Sequence, residues 1–384
     1  MSTFPEKQAI ISGIGISQIG RRTGIPGIDL TRESSDAAIA DAGLEAHDID
    51  GIATMGDTPL EEVAASLAIE PEFTGGGFDT AGLLSPLASA FVAVAEGRAR
   101  HVLVYRTVLM MGGSIIDRTP DREERSGPNL MADSPTLLAN HAYAAPNWLG
   151  MHCNRHMHLY GTTKEQLGWL AVESRRKAAL NPRAVYKEPY TLEDYMNARP
   201  VSSPFGLFDC DVPVDGSIAF VVSHTDYAKD CPGKPVRVEA IGGSPGKGGW
   251  YARPDFPKMC SVDAAAQMWS RTDLKPKDIE TAQLYDGFTF ITFAWLEALG
   301  LCGDGESGPF IEGGQRIALD GELPLNTYGG QLSAGRMHGY WLVHEACVQL
   351  RGEGGARQIP EQPRVAVAAS GGGPFAGCML LTGG

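Results

Sequence analysis

One pattern occurs twice in the chain: an aspartate, small apolar residues, a loop carrying a leucine, then Asp-Ile ahead of a strand. It reads SDAAIADAGLEAHDIDGIAT over residues 35–54 and VDAAAQMWSRTDLKPKDIETAQLYD over 262–286. Each copy follows an apolar strand that runs into glycines, QAIISGIGI at 8–16 and a strand at 236–241 ending in GGSPG. A unit repeated at low identity predicts an α/β protein of two similar halves, since neither copy buries its apolar faces alone. In the first half the spacing predicts a helix over 29–42, with Ala37, Ala38, Ile39 and Ala42 inward, and a strand over 51–55. A helix over 83–96, with Leu84, Leu87, Ala88, Phe91 and Ala95 inside, then leads to a strand at 101–106. The matching pieces of the second half are a helix over 261–269, a helix from Trp341 to Arg351, and strands at 364–369 and 376–382. The division expected is 1–235 and 236–384, with an excursion lacking strand alternation at about 111–215 inserted in the first half.

Charge narrows the partners. A formal net charge of −14 leaves no general basic surface for nucleic acid or an anionic membrane, so a phosphate-bearing ligand needs a local basic pocket. No apolar run approaches the roughly 20 residues of a membrane span, and MSTFPEKQAI lacks a signal-peptide layout, which makes the cytoplasm the expected compartment. Seven scattered cysteines, an odd number, point to reduced thiols. His152 and His156 lie four apart beside Cys153 and His158, a spacing that puts two imidazoles on one helix face. No second pair at a zinc-like spacing follows, so a helix with packing and surface histidines, and no metal, is the expectation.

Residues 326–342, NTYGGQLSAGRMHGYWL, concentrate the chemistry. Arg336, His338 and Tyr340 stand beside backbone bared by Gly329, Gly330 and Gly335, just ahead of a predicted helix whose amides favour an anion or oxyanion. The alternative is a glycine-rich turn ahead of a core helix.

This stretch resembles a thiolase signature of asparagine, two glycines and glycine-histidine-proline before a helix. Aligned on Asn326, Gly329, Gly330 and Gly335, the family's histidine falls on Arg336 and its proline on Met337. The excursion is similar to the loop domain of the sterol carrier protein X branch of thiolases. It carries Tyr160-Gly161-Thr162-Thr163 before a helix, Asn181-Pro182, Tyr190-Thr191-Leu192-Glu193, Asp209-Cys210 and Asp215-Gly216. The resemblance implies a thiolase fold: two duplicated halves in a five-layered α-β-α-β-α core, with the loop domain in the first half.

Each thiolase corner is altered. Asp79, in Asp79-Thr80-Ala81-Gly82, takes the nucleophilic cysteine's place, and Tyr285-Asp286-Gly287-Phe288 carries tyrosine in place of the oxyanion organiser. Ala369-Ser370-Gly371 lacks the second cysteine. Without a thiolate and its histidine, acyl-enzyme chemistry has no nucleophile, while Gly329, Gly330, Gly371, Gly372 and Arg336 remain to bind the thioester end of a CoA substrate and its enolate. The pattern resembles the thiolase-like lipid-transfer aldolases of bacterial steroid catabolism. The resemblance implies cleavage of a 17-hydroxy steroid bearing a three-carbon acyl-CoA chain to a 17-ketosteroid and propanoyl-CoA, with no cofactor beyond substrate CoA. It also implies a homodimer and a small OB-fold and zinc-ribbon partner giving a heterotetramer.

Tyr340 and Tyr285 are the expected acid and base, His338 supports them, and Tyr251 is a further candidate. A tyrosine starts near pKa 10, so a neighbouring cation must lower it to serve near neutrality. Other readings stand: core hydrogen bonding for Tyr285, packing for Tyr340, a helix cap for Asp79, loop closure for Trp250 and Tyr251. At the level of function, a thiolase with another nucleophile and a catalytically silent lipid binder are the alternatives.

Overall fold

The computed structural model describes residues 4–56, 58–111, 134–244 and 253–383. The first half contributes β1 (Ala9–Ile16), α1 (Gly27–Asp41), β2 (Gly51–Thr54), α2 (Leu60–Leu67), β3 (Phe73–Gly76), α3 (Ser85–Ala95) and β4 (His101–Leu109). The excursion carries α4 (Ser134–Ala139), α5 (Ala145–Tyr160), α6 (Lys164–Ala178), α7 (Leu192–Met196), β5 (Pro200–Ser202) and β6 (Phe205–Gly206), before the chain returns as β7 (Asp215–His224). Then follow β8 (Val236–Ser244), α8 (Ser261–Trp269), β9 (Thr281–Leu284), α9 (Thr289–Ala298), α10 (Ser307–Ile311), α11 (Tyr340–Arg351), β10 (Val365–Gly371) and β11 (Ala376–Gly383).

Nine strands pair in the order β3-β2-β4-β7-β1-β8-β11-β10-β9. The halves meet where β1 runs antiparallel to β8 through Ile10↔Arg237 and Ile11↔Val236. Outward from that junction the pairing senses match. The first half runs antiparallel, antiparallel, parallel, parallel across β7, β4, β2 and β3. The second repeats this across β11, β10 and β9, and Leu325 bridges parallel to Ala282 in the place of a last strand.

Both faces of the first-half strands are buried, as expected of strands covered by helices on each side. On β4, Leu103 and Tyr105 join the outer cluster with Ala38, Ile39 and Val63, while Val102 and Val104 face the main core. Helix α1 packs on β1, β4 and β7 and α8 on β8 and β11; α3 packs on β2, β3, β4 and β7, and α11 on β9, β10 and β11 while also reaching β7 and β1, between the two halves of the sheet. These are the five layers of the thiolase fold. All twelve residues of α11 are buried, a consequence of its central place.

Glycines set the layer spacing in both halves. A Cβ on Gly13 would run into the Ala38 carbonyl of α1, and one on Gly242 into the Ala264 carbonyl of α8. The expected helix over 29–42 forms, with one correction: Ala37 is exposed, and the buried face is Leu30, Thr31, Ser34, Ser35, Ala38 and Ile39. Polar groups are tolerated there because hydroxyls pair, Thr31 with Thr107 at 2.6 Å and Ser34 with Ser217 at 2.7 Å.

The loop-domain motifs are clamps. Gly161 ends α5 at φ 76°, and Thr163 caps α6 by accepting from the Gln166 amide. Asn181 donates to the Tyr328 carbonyl at 2.8 Å, and the Val185 and Tyr186 amides donate to the Ala334 and Ser333 carbonyls. Asp209 accepts from the Tyr195 and Thr289 hydroxyls at 2.5 and 2.6 Å. His152 and His156 share no metal set: His152 Nδ1 meets the Pro257 carbonyl, while His156 pairs with Glu297 and Thr162.

Gly13→Ala should destabilise by on the order of 1–3 kcal/mol, because the α1 backbone must retreat. Gly233→Ala, where a Cβ meets nothing within 4 Å, should leave the thermal midpoint unchanged. Equal midpoints for both variants would refute the spacing argument.

Candidate active site

The turn before α11 is held open by backbone that few residues adopt. Gly335, His338 and Gly339 have φ of 139°, 50° and 92°, and a side chain on Gly339 would strike Ser370 Oγ of β10. A histidine at positive φ is strained, and such strain persists only where the surroundings enforce it. Here the Ser370 hydroxyl holds the His338 carbonyl at 3.3 Å, and Arg106 Nη2 of β4 donates to His338 Nδ1 at 2.9 Å.

Arg336 projects from the same turn. Its Nη1 lies 3.2 Å from Asp211, and its Nε and Nη2 lie 3.2 and 3.1 Å from Met110 Sδ at the end of β4. A third of the guanidinium side chain stays open, against 9% for Asp211. Burial pushes the Asp211 carboxyl up to about 6, although Arg336 pulls the other way. Burial also works against Arg336, but the Asp211 charge holds its guanidinium above its ordinary value. The pair is therefore charged at neutral pH and lost as pH falls through about 6.

Tyr285, 9% exposed, joins this group. A Cβ on Gly287 would meet the Tyr285 ring and Asp211 Oδ2 together, so the two flank that glycine. Burial and Asp211 push the phenol up, and Arg336 opposes them. Next in the chain, the buried Asp286 accepts from the Gln331 amide at 2.9 Å, and burial raises its carboxyl to about 7. A side chain on Gly330 would collide with that carboxylate, so Gly330 serves the contact with Asp286.

Several expected site residues stand elsewhere. The Tyr340 ring packs 5.8 Å from Phe220, and its hydroxyl is enclosed without a hydrogen bond. Burial, more than the nearby Arg106 and Tyr105, sets its pKa and raises it; the packing reading is the one the structure supports. Asp79 is exposed and caps no helix, since Ser85 Oγ receives the Thr80 and Ala81 amides. It lines a separate groove with Glu6, Arg98 and Arg271. The Gly329 amide donates to Asn326 and the Gly372 amide to Phe375, so neither N–H is available to an oxyanion. Gly371 sits at the end of β10, paired with Ala376, and its carbonyl accepts from Trp295 at 2.9 Å. Tyr251 and Trp250 lie outside the described residues. Sequence reasoning missed Asp211, Arg106 and Met110, each far along the chain from Arg336 and His338 and in no local motif.

The comparisons with known proteins fit this geometry. The thiolase C-terminal domain-like family matches residues 248–381. A 17-hydroxy-3-oxo-4-pregnene-20-carboxyl-CoA lyase of Mycobacterium tuberculosis is 35% identical over 97% of this chain and 99% of its own. A steroid side-chain-cleaving aldolase of Thermomonospora curvata is also 35% identical, over 99% of each chain. The chain belongs to the thiolase superfamily, in the branch of these aldolases. Among solved structures, an Ltp2-ChsH2(DUF35) aldolase superposes with a TM-score of 0.88 at 32% identity, covering 99% of both chains. Within this thiolase-like frame the charged and proton-bearing groups converge on Arg336.

Carboxyl-labelled NMR should show Asp211 titrating near 6 in the wild type. In Arg336→Met the midpoint should rise, because the cation that favours the carboxylate is gone. An Asp211 carboxyl titrating near 4, or one indifferent to Arg336→Met, would contradict the arrangement described.

Proposed function

We propose that the chain is a carbon–carbon lyase of the steroid side-chain-cleaving kind, acting on a 17-hydroxy steroid whose three-carbon side chain ends in a CoA thioester. One observation carries the choice of cleavage over acyl transfer. Burial pushes the thiols of all seven cysteines above their ordinary value: Cys153, Cys210, Cys231, Cys260, Cys302, Cys347 and Cys378. Cys210, next in sequence to Asp211, is raised to about 12. A thiol is nucleophilic as the thiolate, so these thiols are poor candidates to carry a covalent acyl-enzyme.

Retro-aldol cleavage needs no nucleophile. A base takes the proton of the 17-hydroxyl, its oxygen becomes the ketone, and the bond to the side-chain α-carbon breaks. The electron pair moves into the thioester as an enolate, and an acid returns one proton to the α-carbon. The products are a 17-ketosteroid and propanoyl-CoA, and protons balance. In this site Asp211, ionised above about pH 6, suits the base, and Tyr285, held protonated by burial, suits the acid. Arg336 supplies fixed positive charge where the enolate forms.

The substrate brings its own CoA, and no other cofactor is part of the reading. The Ltp2-ChsH2(DUF35) structure names two components, which supports a partner for this chain; the family resemblance implies in addition that the chain works as a homodimer joined by a small OB-fold and zinc-ribbon protein. It acts in the cytoplasm, where free thiols stay reduced. No helix among the described residues is long and apolar enough to cross a membrane.

The test is product analysis on the hydroxyacyl-CoA with the partner present. Propanoyl-CoA should be released, iodoacetamide should leave turnover intact, and no acyl adduct should appear on the protein. Tyr285→Phe should lower kcat by roughly 10²–10⁴-fold, as loss of a general acid does. Tyr340→Phe should keep nearly full rate and stability, because it deletes a buried hydroxyl without a partner. A stable covalent acyl-enzyme, or a dead Tyr340→Phe beside an active Tyr285→Phe, would reverse the assignment.

A further inference from the structure

We infer that His338, as a neutral imidazole, donates its Nε2–H to the thioester oxygen that becomes the enolate. The inference rests on the aldolase reading and adds to it a hydrogen-bond donor for the developing charge.

The tautomer follows from the partner. A guanidinium has donors only and stays protonated, so the Arg106 Nη2 contact with His338 Nδ1 at 2.9 Å requires Nδ1 to accept. The ring proton then sits on Nε2. A doubly protonated ring would set N–H against N–H and cation against cation at that contact, and Arg336 adds a second positive charge. Burial, then Arg106 and Arg336, hold the imidazole well below its ordinary value, in line with the geometry.

Orientation follows from the backbone. His338 is fixed at φ 50°, its carbonyl is held by Ser370, and Gly339 is pressed against the same serine. With one ring nitrogen and the main chain both anchored, the ring has little freedom. Among the described residues its other nitrogen makes no hydrogen bond and is not an enclosed polar atom, and the residue is partly exposed. His338 and Arg336 leave the same turn and reach the same strand, at Arg106 of β4 and at Met110 at its end, which puts Nε2–H in the site of Arg336. A preorganised donor aimed where charge develops needs no rearrangement during reaction. Of the amides expected to do this work, those of Gly329 and Gly372 are engaged within the protein. His338 supplies a donor that is free.

Nitrogen-15 histidine NMR on the full chain with its partner tests this without turnover. His338→Asn, chosen because asparagine tolerates positive φ, assigns the resonance. The wild-type ring should be neutral with its proton on Nε2 at neutral pH and titrate well below the ordinary histidine value, and Arg106→Met should raise its midpoint. Saturating propanoyl-CoA should shift the Nε2–H proton downfield. A wild-type His338 protonated on Nδ1, or titrating near 6.5, overturns the inference. So does propanoyl-CoA that binds without moving the resonance, which leaves the aldolase reading standing; propanoyl-CoA that fails to bind at all removes both. In kinetics, His338→Asn should lower kcat by about 10²–10³-fold with little change in KM, as loss of an oxyanion donor does. Should that variant not fold, Arg106→Met carries the test at pH 8, where Asp211 is ionised: a kcat below wild type with KM unchanged supports the inference, because the ring is no longer held with its proton on Nε2, and an unchanged kcat overturns it.

Discussion

A helix with no exposed residue has to be entered from inside the protein. The chain reaches α11 through a turn that lies between the two halves of the sheet, against β4 of the first and β10 of the second. Regular backbone cannot make that entry in so little room, which is why Gly335, His338 and Gly339 all take positive φ. The cost of a strained histidine is of order 1–3 kcal/mol, small beside the burial of a twelve-residue helix on every face. Packing wins, and the strain is left where it aims side chains into the site.

Electrostatics in that site are decided by burial before pairing. Asp211 lies 3.2 Å from a guanidinium, a distance that on the surface would depress a carboxyl. Its pKa is nonetheless raised to about 6, because the cost of charging a buried carboxylate exceeds what Arg336 returns. The same competition raises Asp286 to about 7 and keeps Tyr285 protonated. At Gly287 an ionised carboxyl and a protonated phenol, Asp211 and Tyr285, therefore stand side by side at neutral pH, as acid–base work requires.

The fold was legible because it is written twice. Glycines against helix carbonyls, Asp-Ile before a strand, and the order of strands all recur, so each half checks the other. The resemblance in the loop domain was legible for a related reason: Thr163, Asn181 and Asp209 hold hydrogen bonds that the domain needs. The site was legible only where its residues are neighbours in sequence, at Tyr285 and at Arg336 and His338. Asp211 contacts Arg336 across 125 residues, and its own surroundings, Asp209 and Asp215, are aspartates with structural tasks. The burial of Tyr340 was not legible, because a helix start looks the same in sequence whether its first side chain faces a cleft or the core. Asp79 stands at the aligned position but is exposed, and the cap role it could have played falls to Ser85, which receives the Thr80 and Ala81 amides.

Arginine at 336, where the thiolase pattern has histidine, constrains the chemistry further than the missing cysteines do. A guanidinium does not give up its proton at any working pH, so this position cannot relay one. It can stabilise negative charge, and it can keep nearby bases from protonating. It draws the Asp211 carboxyl toward the ionised form against burial, and it adds to burial and Arg106 in lowering the His338 imidazole. Proton transfer must then fall to the groups gathered around Arg336: the carboxyl of Asp211, whose charge changes near neutrality, and the phenol of Tyr285, which burial keeps protonated. A site so built holds an enolate well and attacks a thioester poorly, which is the division of labour that separates cleavage from acyl transfer.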